Sequence, residues 1–444
     1  TDERVVAGAD GSPVRLYGAG VRAGSRWPFT YYLDAPPGQF RFGQYLPYPF
    51  FMGYAATYAA RETAGDVVFR DSIALRESYG DYIAFLRAQR FDFIVIESAS
   101  PSWEHDRSLI TTINAECPGA RIIVTGPIAS QADQILSELP VHACVRGEYE
   151  KGVVRAVNGE QGKIEFDMLT VDEMNAAPFP YFDDTYARRY WDGNPKGSIA
   201  PQAQVWSSRG CPYKCIFCVW PATMTGNDPD GLGKRSVRQY TPEYMEAFLF
   251  ELVANYQFRM VYFDDDTFNL GDRHVERMCA VMRRVGVPWS AMCRADTIRP
   301  ELWREMKDSG CFGVKIGFES GNQYVIDNIV NKRLDLERAR ETVAMIKKTG
   351  MSIHGTFTYG LPGETVEQMQ DTKRYIASLG LDPLQESGCA EIEGTPLHTL
   401  SQERALKKYA GARLTEDYLR ERDGRVKFDR LSTVIQAGPE KKGG

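Results

Sequence analysis

The chain has 444 residues, 43% hydrophobic and 25% charged, which excludes wholesale disorder and leaves room for two or three domains. Its 53 basic and 59 acidic residues give a net charge of −6, so composition makes no case for nucleic acid or an anionic membrane as partner. The apolar run from Phe50 to Ala56 falls short of the roughly 20 residues that a membrane span needs, and no signal-peptide pattern stands at the amino terminus. The expectation is a cytoplasmic enzyme.

Residues 1–40 read as an N-terminal segment. Over 41–150, short apolar runs alternate with helical stretches. Val67-Val68-Phe69 reads as a strand, followed by a helix carrying Tyr82, Ile83, Phe85 and Leu86. Phe93–Ile96, Ile122–Val124 and Ala143–Val145 are near-continuous apolar runs, as parallel strands covered on both faces should be. Together they predict a Rossmann-like, doubly wound α/β domain whose ligand sits beyond the strands' carboxyl ends, near Ser98–Ser100 and Gly126. It lacks a Gly-x-Gly-x-x-Gly fingerprint, which counts against NAD. Residues 151–200 read as a linker, with a turn at Asn158-Gly159 between Val153-Val154 and Ile164–Phe166.

Over 201–398 the alternation resumes, with strands expected to end at Ser208, Phe263, Cys293, Phe318, Tyr359 and Gly388. The first helix between them opens at Thr241-Pro242 and lines up Met245, Phe248, Leu249, Leu252 and Val253 on one face. Others open near Pro300 and Glu364. Six such units predict a partial (β/α)6 TIM barrel with its site at the strands' carboxyl ends. Residues 399–444 read as a short C-terminal extension, helical at first and then charged.

Six of the nine cysteines are scattered singly: Cys117, Cys144, Cys279, Cys293, Cys311 and Cys389. That is not a secreted disulfide framework. The other three, Cys211, Cys215 and Cys218, are spaced C-x3-C-x2-C at the end of the first barrel strand. Three thiolates from one tight loop suit an iron–sulfur cluster or a metal ion. A four-iron cluster wants four ligands, so one iron would stay open for a small chelating ligand. Zinc would normally bring a fourth Cys or His within ~20 residues, and the sequence offers none.

This loop resembles the signature of radical S-adenosylmethionine (SAM) enzymes. The resemblance implies that the open iron binds the methionyl amine and carboxylate of SAM. An electron from the cluster then cleaves SAM to methionine and a 5′-deoxyadenosyl radical, which takes a hydrogen atom from substrate. It also implies an electron donor such as a flavodoxin, a ferredoxin or a reductase. The domain before the barrel, with Thr125-Gly126-Pro127 and Arg146–Glu150, resembles the cobalamin-binding domain of the B12-type branch.

Further matches fall in order on successive strand ends. Phe217 matches the aromatic position beside adenine, and Asp264-Asp265-Asp266 resembles the segment that receives the SAM amino group. Glu319 and Ser320 end the fourth strand, where the ribose hydroxyls or the methionyl end are held. Gly360 and Pro362 belong to a turn that looks like the one binding adenine, where glycine permits close backbone approach. A lone acidic triplet is usually a solvated loop; the ordered set is what carries the resemblance.

The last strand region holds Glu386, Glu391 and Glu393, which with Arg294 and Asp296 suit a polar, cationic small molecule such as an amino sugar. Domain order and the Cys211–Pro221 segment look most like compact relatives: the hopanoid ring-contraction enzyme and the radical diol dehydratases of aminoglycoside antibiotic biosynthesis. The expectation is therefore radical dehydration or deoxygenation, with Glu386, Glu391, Glu393 and His354 as acid–base candidates and Arg294 beside the substrate. Three alternatives stand beside it: a solvated or ion-paired acidic strand with His354 in the core, a cobalamin-dependent radical SAM methyltransferase, and a bare iron–sulfur carrier. Cobalamin itself is left open, the compact chain and acidic strand favouring an empty site.

Overall fold

The computed structural model describes residues 2–7, 13–19, 30–33, 45–75, 77–183, 189–225, 235–381, 383–389, 394–398 and 433–436. The chain divides into two compact units. The first holds Thr1–Trp191, Val219–Gly233 and Ile392–Pro396, and the second holds Asp192–Cys218, Lys234–Glu391 and Leu397–Gly444. Among the described residues no helix is long and apolar enough to cross a membrane.

The first unit opens with an antiparallel sheet of β1 (Asp2–Ala7), β2 (Pro13–Ala19) and β3 (Thr30–Leu33). After α1 (Phe50–Glu62) comes α2 (Tyr79–Gln89), which starts from a capping box between Ser78 and Asp81 and buries Ile83 and Leu86. Then follow β4 (Phe93–Glu97), α3 (Trp103–Glu116), β5 (Arg121–Thr125), β6 (Ala143–Val145), α4 (Glu150–Val157) and β7 (Gly162–Ile164). The four strands pair in that order and all in parallel. Ile94, Ile96, Ile122 and Val124 join Ile110, Ile113 and Leu86 in one core, which is the two-sided burial that the apolar runs predicted.

Two expectations fail here. Val67-Val68-Phe69 forms no strand, and both valines are exposed. Their β preference has no ladder to express itself in, because strand propensity depends on packing against neighbours. Val153 and Val154 lie in α4 rather than in a hairpin, and Ile164 ends β7, parallel to β6. An adjacent valine pair reads equally well as helix or strand, and a three-residue strand is too short to show a period. The sheet's fourth strand thus falls inside the stretch read as a linker.

In the second unit, β8 (Gln202–Val205), β9 (Ser208–Arg209) and β10 (Arg238–Gln239) precede α5 (Pro242–Tyr256). Then β11 (Met260–Phe263), α6 (Asp272–Val285), β12 (Trp289–Cys293), α7 (Glu301–Asp308) and β13 (Cys311–Glu319) alternate. After these come α8 (Leu336–Lys348), β14 (Ser352–Tyr359), α9 (Val366–Leu379), β15 (Leu384–Gly388) and β16 (Thr433–Gln436). One seven-stranded sheet runs β8-β11-β12-β13-β14-β15-β16, parallel until its last pair. Sequential parallel neighbours joined by helices are the partial barrel expected. Register sets the strand ends side by side: Val205 with Phe263, Cys293 with Ile316, Tyr359 with Gly388.

Three details differ. The first strand stops at Val205, and Ser208-Arg209 leaves the sheet to pair antiparallel with Arg238-Gln239. The last strand is covered by β16, from a region read as helix and charged tail. Thr365 caps α9 in a capping box with Gln368, which leaves Glu364 in the preceding turn.

Gly126, just past β5, has φ +97°, and a Cβ there would meet the Ser98 carbonyl oxygen at 2.2 Å. Gly159 also has positive φ, but a Cβ there would meet nothing within 4 Å. Gly159→Ala should cost only the backbone strain of about 1–3 kcal/mol. Gly126→Ala should cost measurably more in urea unfolding, and equal losses would show that the strand ends do not pack this closely.

Candidate active site around the cysteine loop

The loop that carries the three thiols is held from both sides. Its first half rests on the acidic triplet after β11. Asp265 accepts from Ser207 N at 3.2 Å, from Ser207 Oγ at 2.8 Å and from Ser208 Oγ at 2.5 Å. Asp266 accepts from Gly210 N at 3.1 Å, and Cys211 Sγ lies 3.6 Å from Thr267 Oγ1. The second half is anchored by backbone bonds, with Ile216 N donating to Val330 O at 2.9 Å and Leu397 N donating to Ile216 O at 2.8 Å. Cys215 and Phe217 pack with Ile329 and Cys389 around buried Val325, Val330 and Leu361. Cys389 therefore does not stand apart, as its lone position in sequence suggested.

Burial pushes the Cys211 thiol up, Asp266 adds to that, and Thr267 and Arg294 oppose it. Burial likewise pushes Cys215 up, against the pull of Lys332 and Arg294. Among the described residues no three His, Cys, Asp or Glu side chains are grouped tightly enough to share one metal ion. A four-iron cluster takes one thiolate per iron and asks for less convergence. An apolar wall on one side and two cations on the other fit such an anionic, water-sensitive group.

The other predicted residues separate into those gathered at the strand ends and those lying elsewhere. Asp264 accepts from Tyr262 OH at 2.7 Å. Glu319, with φ +68°, accepts from Lys332 Nζ at 2.9 Å and Thr358 Oγ1 at 3.2 Å. Ser320 Oγ lies 3.1 Å from Thr372 Oγ1. Gly360 N and Leu361 N donate to Glu364, whose carboxyl burial pushes up to about 7, and Pro362 completes that turn. Arg294 forks onto Asp296 at 2.9 and 2.8 Å and lies 3.5 Å over the Tyr213 ring, inside the cysteine loop.

The acid–base candidates do not gather there. Glu386 is buried on β15, where it accepts from Tyr359 OH at 2.6 Å and pairs with Lys373 of α9. Tyr359 and Phe357 alternate onto the face where Phe318 stacks, beside Tyr375 of the same helix. The carboxylate thus ties sheet to helix as a structural ion pair and is not aimed at the strand ends. His354 is buried lower on β14, beside Lys315 in register. Glu391 and Glu393 lie outside the described residues. Sequence reasoning missed Ser207, Ser208, Lys332 and Asn331, whose Nδ2 donates to Lys214 O at 3.2 Å. No local pattern marks them, since each matters only through a partner far along the chain.

Residues 207–376 match the sequence model of the Radical SAM superfamily. An uncharacterized methyltransferase of Pyrococcus horikoshii is 27% identical over 286 residues, 64% of this chain and 58% of the relative. The cytidylyl-2-hydroxyethylphosphonate methyltransferase of Streptomyces wedmorensis is 27% identical over 279 residues, 60% of this chain and 48% of the relative. The chain thus spans about half the length of these curated relatives. The radical SAM methyltransferase TsrM of Kitasatospora setae, solved with cobalamin and its iron–sulfur cluster, shares the fold. Its TM-score is 0.63 at 15% identity, over 81% of this chain and 76% of TsrM.

Ser207 Oγ also lies 2.9 Å from His274 Nε2. Burial pushes Asp265 up to about 7, and pushes His274 down to about 4 from an ordinary 6.5. Between pH 4 and 6.5 the unfolded chain takes up a proton that folded His274 refuses, so this histidine makes stability rise with pH. Folded Asp265 keeps a proton that the unfolded chain releases, so it makes stability fall with pH. Relative to the parent, His274→Gln should therefore gain about 3 kcal/mol on going from pH 6.5 to 4, and Asp265→Asn should gain as pH rises from 4 to 7. Denaturant midpoints across that range check both signs; a pH-independent offset for either variant would refute its assignment.

Proposed function

We propose, from the radical SAM domain that residues 207–376 match, that the chain is a cobalamin-dependent methyltransferase acting on a small molecule. The observation that carries this reading is the parallel α/β unit preceding a barrel with a three-cysteine loop, an architecture shared with cobalamin-bound TsrM. The methyltransferase names of the relatives support it. Radical dehydration, read from the resemblance to compact relatives and from the acidic last strand, is not carried forward, because the relatives are methyltransferases and Glu386 is engaged by Lys373 and Tyr359.

When bound, the cluster supplies the electron that splits SAM, and a corrinoid supplies a methyl carrier. Cys211, Cys215 and Cys218 would each hold one iron. Phe217 and the Gly360–Pro362 turn would flank adenine, Glu319 and Ser320 would take the ribose or methionyl end, and Asp264 and Asp266 would meet the SAM ammonium. A carboxylate suits that last place, since a partly desolvated ammonium needs a charged partner. In the first unit, small Ser98, Ala99 and Gly126 with the buried hydroxyls of Thr125 and Tyr149 stand at the strand ends. That set suits the amide-rich rim of a corrinoid and brings no histidine, His105 being exposed on α3. Electrons come from an external reductant of the flavodoxin or ferredoxin class.

Anaerobically reconstituted protein should retain hydroxocobalamin through desalting. With SAM, a reductant and candidate substrates it should form both S-adenosylhomocysteine and 5′-deoxyadenosine, with a product heavier by one methylene. A product lighter by water, formed without S-adenosylhomocysteine, would return the reading to dehydration. Changing Cys211, Cys215 and Cys218 together to Ala should abolish iron and sulfide retention; a full cluster in that variant would show that the thiols are misassigned.

A further inference from the structure

The cysteine loop is docked more firmly on residues 330–332 than its thiols require. Besides the bonds from Ile216 to Val330 and from Asn331 to Lys214, Arg294 bridges the two segments. Its guanidinium lies 3.5 Å over the Tyr213 ring, and its Nη2 donates to Lys332 O at 3.2 Å. Arg294 is itself fixed from behind: its N donates to Asn269 Oδ1 at 2.8 Å, and its O accepts from Asn269 Nδ2 at 2.7 Å. The docking segment has left-handed backbone at Asn331 (φ 57°) and Arg333 (φ 54°), and Glu319, which pairs with Lys332, has φ 68°. Such backbone persists in non-glycine residues where the surroundings over-determine it, and it collects at functional sites.

The same contacts concentrate charge. Arg294 and Lys332 are 4% and 7% exposed. Arg294 lies against Tyr213 of the loop, Lys332 directly follows the residues that bond the loop, and each is paired with one carboxylate, Asp296 and Glu319. A cluster held by three thiolates is anionic and gains a further negative charge on reduction. Fixed cations in a poorly solvated site favour that reduced state, since net charge and solvent exposure set cluster potentials.

We propose that Arg294 is a positioning residue for the cluster: it clamps the cysteine loop through Tyr213 and, with Lys332, supplies the buried positive charge that favours one-electron reduction. The proposal rests on the radical SAM reading of the loop. It removes Arg294 from the substrate side, where sequence alone had placed it.

The test uses the full chain, reconstituted anaerobically, assayed for iron and sulfide, and titrated with dithionite and mediators under electron paramagnetic resonance without SAM or substrate. Arg294→Gln should shift the midpoint to a more negative potential, Lys332→Met should shift it the same way, and Arg294→Lys should restore most of the parent value. A midpoint unchanged in Arg294→Gln at full cluster content overturns the proposal, as does an equal shift in Arg294→Lys and Arg294→Gln. If Arg294→Gln fails to load a cluster, Lys332→Met decides, because it leaves the Tyr213 stack in place: a negative shift supports the proposal and an unchanged midpoint overturns it. A parent chain that binds no four-iron cluster sinks the underlying reading instead, and is told apart by the iron and sulfide assay alone.

Discussion

The buried carboxylate of Asp265 is the contact on which the site's geometry depends. A carboxyl group removed from water must be satisfied by donors or by protonation. Here the donors are Ser207 and Ser208, the residues that leave β8 for the cysteine loop. That attachment peels Ser208-Arg209 out of the main sheet into its short ladder with Arg238-Gln239. Asp266 continues the same hold onto Gly210, so the first thiol stands where the end of β11 places it.

A second layer of order comes from ion pairs removed from solvent. Asp192 pairs with Lys315, Asp296 with Arg294, Glu319 with Lys332 and Glu386 with Lys373. Such pairs stabilise little relative to well-packed apolar residues, because desolvation opposes their attraction, but breaking one leaves an uncompensated charge. Their use here is positional. Lys315 joins the segment before the barrel to its fourth strand and lies 4.3 Å from the Tyr262 ring centre. Tyr262 in turn donates to Asp264 at the strand end. Glu386 fixes α9 against β15.

Both signs of charge act on the thiols. Burial opposes ionisation of both thiols; Asp266 adds to that at Cys211 and Glu319 at Cys215, while Arg294 favours ionisation of both and Lys332 that of Cys215. Residues 330–332, which receive the second half of the loop, adjoin the apolar group of Val325, Val330 and Leu361. Phe217 and Cys389 share that apolar group, which brings the end of β15 to the same place as the middle of the cysteine loop.

Sequence by itself determined the parts that rest on local rules. Continuous apolar runs at Phe93–Ile96 and Ile122–Val124 give parallel strands because burial on both faces leaves no alternation to disguise. Thr241-Pro242 starts a helix because cap and first-turn preferences act within four residues. The C-x3-C-x2-C spacing pointed to a cluster or a metal ion for the same reason, as one loop supplies all three thiols, and only the resemblance to the radical SAM signature narrowed it further. Tertiary structure alone decided which way charged side chains point. Asp265 resembled a contact for SAM until its partners 57 and 58 residues away were seen, and Glu386 resembled an acid until Lys373 was found on the helix beside it. Strand alternation assigns a residue to one of two faces, but not the partner that waits there. For a buried charge, the partner decides whether the group does chemistry or holds two elements together.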